Sequence, residues 1–92
     1  MKAFITVMGK DKVGIIAGVA TSLAECGVNI LDINQTILQN TFTMIMAVEG
    51  AGSTLSFEEV QEKLAKKGSE LGVEIQIRHE DILTQCTISN YD

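Results

Sequence analysis

Two short glycine-bounded turns restrict the folds open to this chain of 92 residues more than any other feature. The first, residues 9–14 (GKDKVG), follows an apolar stretch and leads into a helical pattern. The second, residues 27–29, ends that pattern and opens another β-rich stretch at Asn29. A helix N-terminus offers free N–H groups and partial positive charge to a carboxylate, and an asparagine amide can both donate and accept. We expect the two turns to meet in space and to hold a small zwitterion rather than to perform chemistry.

The periodicity of apolar residues predicts four strands and two helices. Alternating apolar and polar side chains indicate strands, and apolar residues three or four positions apart indicate helices. Gln39 and Asn40 form a polar break typical of a tight hairpin, and Ser56 with Glu59 fits the capping box of a helix start. The predicted strands cover residues 3–8, 29–38, 41–49 and 73–78, and the predicted helices run from 13 or 14 to 27 and from 56 to 72.

The resulting order, β-α-β-β-α-β, predicts an α+β fold of the ferredoxin-like class: a four-stranded antiparallel sheet with two helices on one face. We expect one domain over residues 1–79, with residues 80–92 as a C-terminal tail that could form a short helix. Residues 50–53 (GAGS) are expected to form a flexible loop.

The charge balance argues against several partners. Seven Lys and Arg against twelve Asp and Glu give a net charge of −5, which disfavours nucleic acid and anionic membrane surfaces. Lys63, Lys66 and Lys67 could form a local basic patch, although a solvated helix face is the simpler interpretation. The first apolar run is too short for a signal peptide or a membrane span, so we expect a cytoplasmic protein. Cys26 and Cys86 are expected to be reduced thiols.

No catalytic, metal or cofactor site can be assembled from the sequence. The chain has a single histidine, His79, and lacks the glycine patterns of a P-loop or a dinucleotide-binding turn. Ferredoxin-like domains serve several functions, so the fold alone does not decide among them. Strands one and three carry only Phe4 and Phe42, too few aromatic residues for the base stacking of an RNA-binding domain. We therefore expect no cofactor and no enzymatic activity.

Residues 9–17 (GKDKVGIIA), followed by residues 27–32 (GVNILD), resemble the ACT domain over residues 2–78. Val13 stands where the family commonly has proline, while the following glycine is kept. The full length is similar to small stand-alone bacterial ACT proteins of unassigned function. It is more distantly similar to the ACT halves of the glycine cleavage system repressor and to the ACT segment of formyltetrahydrofolate deformylase.

The resemblance implies a regulatory protein that binds a small ligand, most simply an amino acid, at a homodimer interface. In the family, the ligand lies between the first loop of one subunit and strand two of the other. Carried over, the ligand-binding candidates are Asp11, Lys12, Val13, Gly14 and Ile15, with Asn29 and Ile30 opposite. The helix N-terminus would hold a carboxylate, and Asp11 or Asn29 an ammonium group. Such a protein would pass its state to a partner protein.

Each main candidate also has a structural interpretation. Asp11 could cap helix one, Gly14 could allow a close helix–strand approach, and Asn29 could be a turn residue. The alternative function is a ligand-free interaction module that uses the open sheet face and the methionines of strand three, Met44 and Met46. Methionine as ordinary core filler is the simpler explanation of that strand.

Overall fold

The computed structural model describes residues 2–50 and 54–80 of the protein. The elements follow the predicted β-α-β-β-α-β order, and the second and third strands along the chain begin and end at the predicted residues. The elements are β1 (Lys2–Lys10), α1 (Ile15–Glu25), β2 (Asn29–Leu38), β3 (Thr41–Glu49), α2 (Phe57–Leu71) and β4 (Val73–His79). Apart from Gly50 and Glu80, the predicted flexible loop and the predicted C-terminal helix lie outside the described residues.

The four strands form one antiparallel sheet in the order β2-β3-β1-β4. This confirms the predicted ferredoxin-like fold class. Every second residue of β1 and β3 faces the helices and is buried, because successive side chains of a strand point to opposite faces. The residues that are fully buried between sheet and helices include Ile5, Val7, Ile15, Val19, Leu23, Met44, Met46, Val60 and Leu64.

The methionines of β3 belong to this core. Met44 and Met46 are both 0% exposed and share their face with Phe42 and Val48. The suggestion that a methionine-rich strand presents itself to a partner is therefore wrong. Methionine fills irregular gaps between a sheet and helices because its side chain is unbranched and flexible.

Close backbone packing holds the two helices against each other and against the sheet. A Cβ built on Gly18 of α1 would lie 2.9 Å from Cδ1 of Leu71 at the end of α2. A Cβ built on Gly68 of α2 would lie 2.8 Å from the carbonyl oxygen of Val73 in β4. At Gly68 a side chain would clash with backbone, whereas at Gly18 the Leu71 side chain would have to move.

Helix α2 begins and ends as the sequence predicts. The Ser56 hydroxyl accepts a hydrogen bond from the Glu59 backbone N–H at 3.2 Å, and Glu59 Oε1 accepts one from the Ser56 backbone N–H at 3.0 Å. This reciprocal pair is the predicted capping box and satisfies two donors that the helix itself leaves free. Gly72 terminates the helix in the left-handed conformation, with φ of +73°.

Strand β2 lies at one edge of the sheet and is largely uncovered. Nine of its ten residues are exposed, whereas every second residue of β3 beside it is buried. A β-bulge at Leu31 shifts the register, since Ile30 pairs with Val48 but Asp32 pairs with Ala47. None of the helices in the described ranges is both long and apolar enough to cross a membrane.

Candidate ligand-binding site

The loop between β1 and α1 is anchored to the β2–β3 hairpin. The backbone N–H of Asp11 donates a hydrogen bond to the carbonyl oxygen of Asn40 at 2.8 Å. Gln39 and Asn40 both have positive φ, as in a type I′ hairpin turn. The hairpin therefore fixes one end of the loop, while Val13 remains 100% exposed.

Gly14 is the N-cap of α1 and is required for its backbone conformation. Its φ is +95°, and a Cβ built on it would meet no atom within 4 Å. The interpretation of Gly14 as a close-approach residue is therefore wrong, since a left-handed φ is what favours glycine here.

In the part of the chain that the structure describes, no side chain caps the N-terminus of α1, and its first turn holds no acidic residue. The interpretation of Asp11 as the helix cap is thus wrong. The first N–H groups of an α-helix have no partner within the helix, and the aligned peptide dipoles add partial positive charge there. This end of α1 is open and electropositive, as a carboxylate site requires. Ile15 is only 1% exposed, so its side chain belongs to the core and only its backbone N–H can face a ligand.

Lys12 extends from the loop toward the C-terminal end of α2. Its Nζ lies 2.9 Å from the position of a Cβ built on Gly72, the residue that ends that helix. The last turn of α2 contains no basic residue of its own. An ammonium group at this place interacts favourably with the negative end of the helix dipole. Lys12 therefore connects the loop to α2.

Asn29 and Ile30 lie at the opposite end of the sheet from the loop. Lys10 pairs with Thr41, whereas Asn29 and Lys2 both pair with Glu49. The length of β1 separates the two turns, roughly 26 Å at ~3.3 Å per residue. The expectation that they meet within one chain is wrong, because α1 runs back along the sheet before β2 begins. Asn29 is exposed, and Ile30 is half-buried against the core.

Strand β2, which begins with Asn29 and Ile30, also carries an exposed apolar strip that was not predicted from the sequence. Ile33 and Ile37 face the same side of the sheet as the helices but lie beyond them, with 42% and 50% of their surface exposed. Leu31 and Leu38 on the same strand are 49% and 71% exposed, and Ile16 of α1 is 40% exposed. The alternation of β2 was readable from the sequence, but its position at an uncovered edge was not.

The predicted basic patch lines a groove between the two helices. This groove has a volume of about 180 Å³. Two carboxylates offset its three ammonium groups, and Lys67 Nζ forms a salt bridge with Glu70 Oε2 at 3.0 Å. The groove is thus of mixed charge, as expected for a solvated helix face. Its lining residues are Ser22, Glu25, Lys63, Lys66, Lys67 and Glu70.

The ionisable groups with shifted pKa values have structural causes. Burial raises the pKa of the Cys26 thiol, and nearby Lys63 only partly opposes this effect, so the thiol is protonated at neutral pH. The hydrogen bonds with Ser56 lower the pKa of the Glu59 carboxyl in the capping box. Across residues 2–50 and 54–80, no group of three His, Cys, Asp or Glu side chains could hold a metal ion.

Known proteins resemble this chain over most of its length. A family profile described as ACT domain matches residues 2–78. A UPF0237 protein of Clostridium acetobutylicum is 58% identical over 82 residues, which cover 89% of this chain and 92% of the relative.

Two solved structures share the fold. An ACT domain protein from Streptococcus pneumoniae superposes with a TM-score of 0.80 at 43% identity, covering 90% of this chain and 93% of that one. The regulatory subunit of aspartate kinase from Thermus thermophilus superposes with a TM-score of 0.65 at 29% identity. That second match covers 84% of this chain and 50% of the other.

Proposed function

The chain belongs to the ACT domain family, and from that premise we propose that it is a non-enzymatic regulatory protein that binds an amino acid at a homodimer interface in the cytoplasm. The observation that carries this proposal is the uncapped N-terminus of α1, which begins at a left-handed glycine on an exposed loop. The similarity to a regulatory subunit of aspartate kinase supports a regulatory role.

The free edge of β2 is the surface proposed for the dimer. An edge strand leaves a row of backbone N–H and C=O groups unpaired, and a second copy of the same strand can satisfy them. Four apolar residues on β2 are exposed in the single chain, and pairing through this edge would remove part of that surface from water. The four are Leu31, Ile33, Ile37 and Leu38.

An antiparallel β2 pair would also complete the proposed site. In such a pair, the Leu38 end of one strand lies beside the Asn29 end of the other. The loop of residues 9–14 is tied to the Leu38 end through the hydrogen bond from Asp11 to Asn40. The loop of one subunit would therefore face Asn29 of the partner subunit, although the two are distant within one chain.

The chemistry of the two halves suits an α-amino acid. The free N–H groups at the start of α1 would bind the carboxylate. The Asp11 carboxylate and the amide of Asn29 of the partner subunit would bind the ammonium group. Val13 and Ile30 would supply apolar contacts. Ligand binding would order the loop across the interface and shift the population of the dimer, which a partner protein would detect.

The test is thermal unfolding of the wild-type protein against the twenty amino acids, followed by titration calorimetry of any that stabilise it. A ligand at about 100 times its dissociation constant adds about 2.7 kcal/mol of stability. We expect Asn29→Ala to weaken binding of the identified amino acid at least tenfold. Gln61→Ala, which removes an amide from an exposed site on α2, away from β2 and from the loop, should leave binding unchanged.

Two outcomes would contradict the proposal. Equal affinities for the wild type and Asn29→Ala would exclude the proposed site while leaving amino-acid binding intact. No stabilisation by any amino acid at millimolar concentrations would favour the alternative, a ligand-free interaction module.

A further inference from the structure

The sheet has a second edge, on β4. Among residues 2–50 and 54–80 this strand pairs only with β1, so no described strand covers the backbone groups on its outer side. Between this edge and α2 lies a groove of about 310 Å³. The same two elements also contact each other where Gly68 approaches Val73 and where the Phe57 and His79 rings stack with centroids 4.0 Å apart. Its lining residues are Gln61, Ala65, Ile75, Gln76, Ile77 and Arg78.

The sequence of β4 is complementary to itself in the antiparallel direction. Its seven residues, VEIQIRH, have Gln76 at their centre. If two copies pair with Gln76 opposite Gln76, Glu74 of each strand lies opposite Arg78 of the other, and Ile75 lies opposite Ile77. Opposite charges and apolar residues facing each other across a strand pair are stabilising, whereas like charges there are destabilising.

Within one chain these charges do not meet. Glu74 and Arg78 are four positions apart, roughly 13 Å along a strand. Both side chains are exposed, and each forms a hydrogen bond with the central glutamine. Gln76 Nε2 donates to Glu74 Oε1 at 2.7 Å, and Arg78 Nη2 donates to Gln76 Oε1 at 2.9 Å. These bonds align a carboxylate and a guanidinium on one face of the edge strand. A second strand pairing with this edge would place its own side chains against them.

The helix-facing side of the edge also admits a second copy. Ile75 is half-buried in the groove, and Ile77, two positions further along β4, is 5% exposed. Where α2 lines the groove, it presents Gln61 and Ala65, neither of which is charged. Two copies related by a two-fold axis through Gln76 would therefore bring no like charges together among the residues that line this groove.

We propose that β4 pairs antiparallel with β4 of a second copy of this chain, with Gln76 on the two-fold axis and two Glu74–Arg78 ion pairs across it. This contact is distinct from the dimer proposed through β2, on the other edge of the sheet, and the two contacts stand or fall separately. If both edges are used, association continues past the dimer.

Charge reversal with sedimentation velocity over a range of protein concentrations tests this contact. Glu74→Arg and Arg78→Glu each place like charges opposite one another twice, and each alone should lose the concentration-dependent rise in mass of the wild type. An equimolar mixture of the two variants should restore it, because every cross-strand pair is then of opposite charge. The double variant Glu74→Arg/Arg78→Glu should also behave as the wild type.

A matched control is Glu25→Arg, which makes the same change of net charge at an exposed site on α1 and should leave association unchanged. The mass measured for Glu74→Arg also tests the β2 contact separately. It should be the mass of a dimer if the β2 contact forms and the mass of a monomer if it does not. The proposal is overturned if the wild type shows no association that Glu74→Arg removes, or if the mixture of variants fails to restore it. In that case the charges of β4 protect the edge from pairing.

Discussion

Substitution of Gly14 tests whether glycine is needed at the start of α1 for its left-handed backbone conformation or for its lack of a side chain. A Cβ at this position would meet no atom within 4 Å, so Gly14→Ala introduces no clash. Its cost is the strain of a non-glycine residue at φ of +95°, about 1–2 kcal/mol. Asparagine visits left-handed conformations more readily than alanine does, so we expect Gly14→Asn to cost roughly half as much.

Urea unfolding followed by circular dichroism, at one fixed protein concentration, measures this difference. With a urea slope of about 1–3 kcal/mol per M, a loss of 1 kcal/mol lowers the urea midpoint by roughly 0.3–1 M, so the ranking of wild type, Asn variant and Ala variant is measurable. Ligand affinity should rank differently. Either side chain would project into the open space in front of the helix N-terminus, so both variants should bind the amino acid less tightly than the wild type.

Two results would refute this reasoning about Gly14. Equal destabilisation by Asn and Ala would mean that left-handed φ is not why glycine is needed. An alanine variant as stable as the wild type would mean that α1 does not begin at a left-handed residue.

Three further substitutions test α2. Ser56→Ala should cost about 1 kcal/mol at neutral pH by removing the capping box. Because the pKa of Glu59 is lowered in the folded state, its contribution is present above its ordinary value of 4.5 and is lost as pH falls through the folded value. The cost of Ser56→Ala should therefore shrink in acid, and an equal cost in urea unfolding at both pH values would contradict this. Leu64→Ala, at a core position 1% exposed, should lower the free energy of unfolding by about 2–5 kcal/mol, whereas Leu71→Ala, at a half-buried position, should cost less by the same measurement.

The elements were predictable because local chemistry determines where each one begins and ends. The β2–β3 hairpin follows from two alternating stretches joined by Gln39 and Asn40, residues that tolerate positive φ. Helix α2 follows from Ser56, Glu59 and Gly72, whose capping bonds and left-handed termination depend on neighbouring residues only. The family resemblance then supplied the fold class, which the element order alone also indicated.

The relations between elements were harder to predict. Asn29 was expected beside the first loop, although β1 and β2 are parallel and a helix must return the chain to the starting end before β2 can begin. The predicted topology already implied this separation. The bulge at Leu31 and the anchoring of Asp11 by Asn40 had no such signal, since both depend on backbone groups that every residue carries.

The separation of the loop from Asn29 gives the proposed sensor its physical basis. If each chain carries half of the groups that bind the amino acid at either end of its sheet, one chain alone binds weakly and two chains together bind well. Ligand binding and dimerisation are then thermodynamically coupled, and each strengthens the equilibrium constant of the other by the same factor. A domain with its whole site in one chain would bind its ligand without any change of assembly. Under the proposal, the divided site would convert the concentration of an amino acid into a fraction of dimer, which a partner protein would recognise.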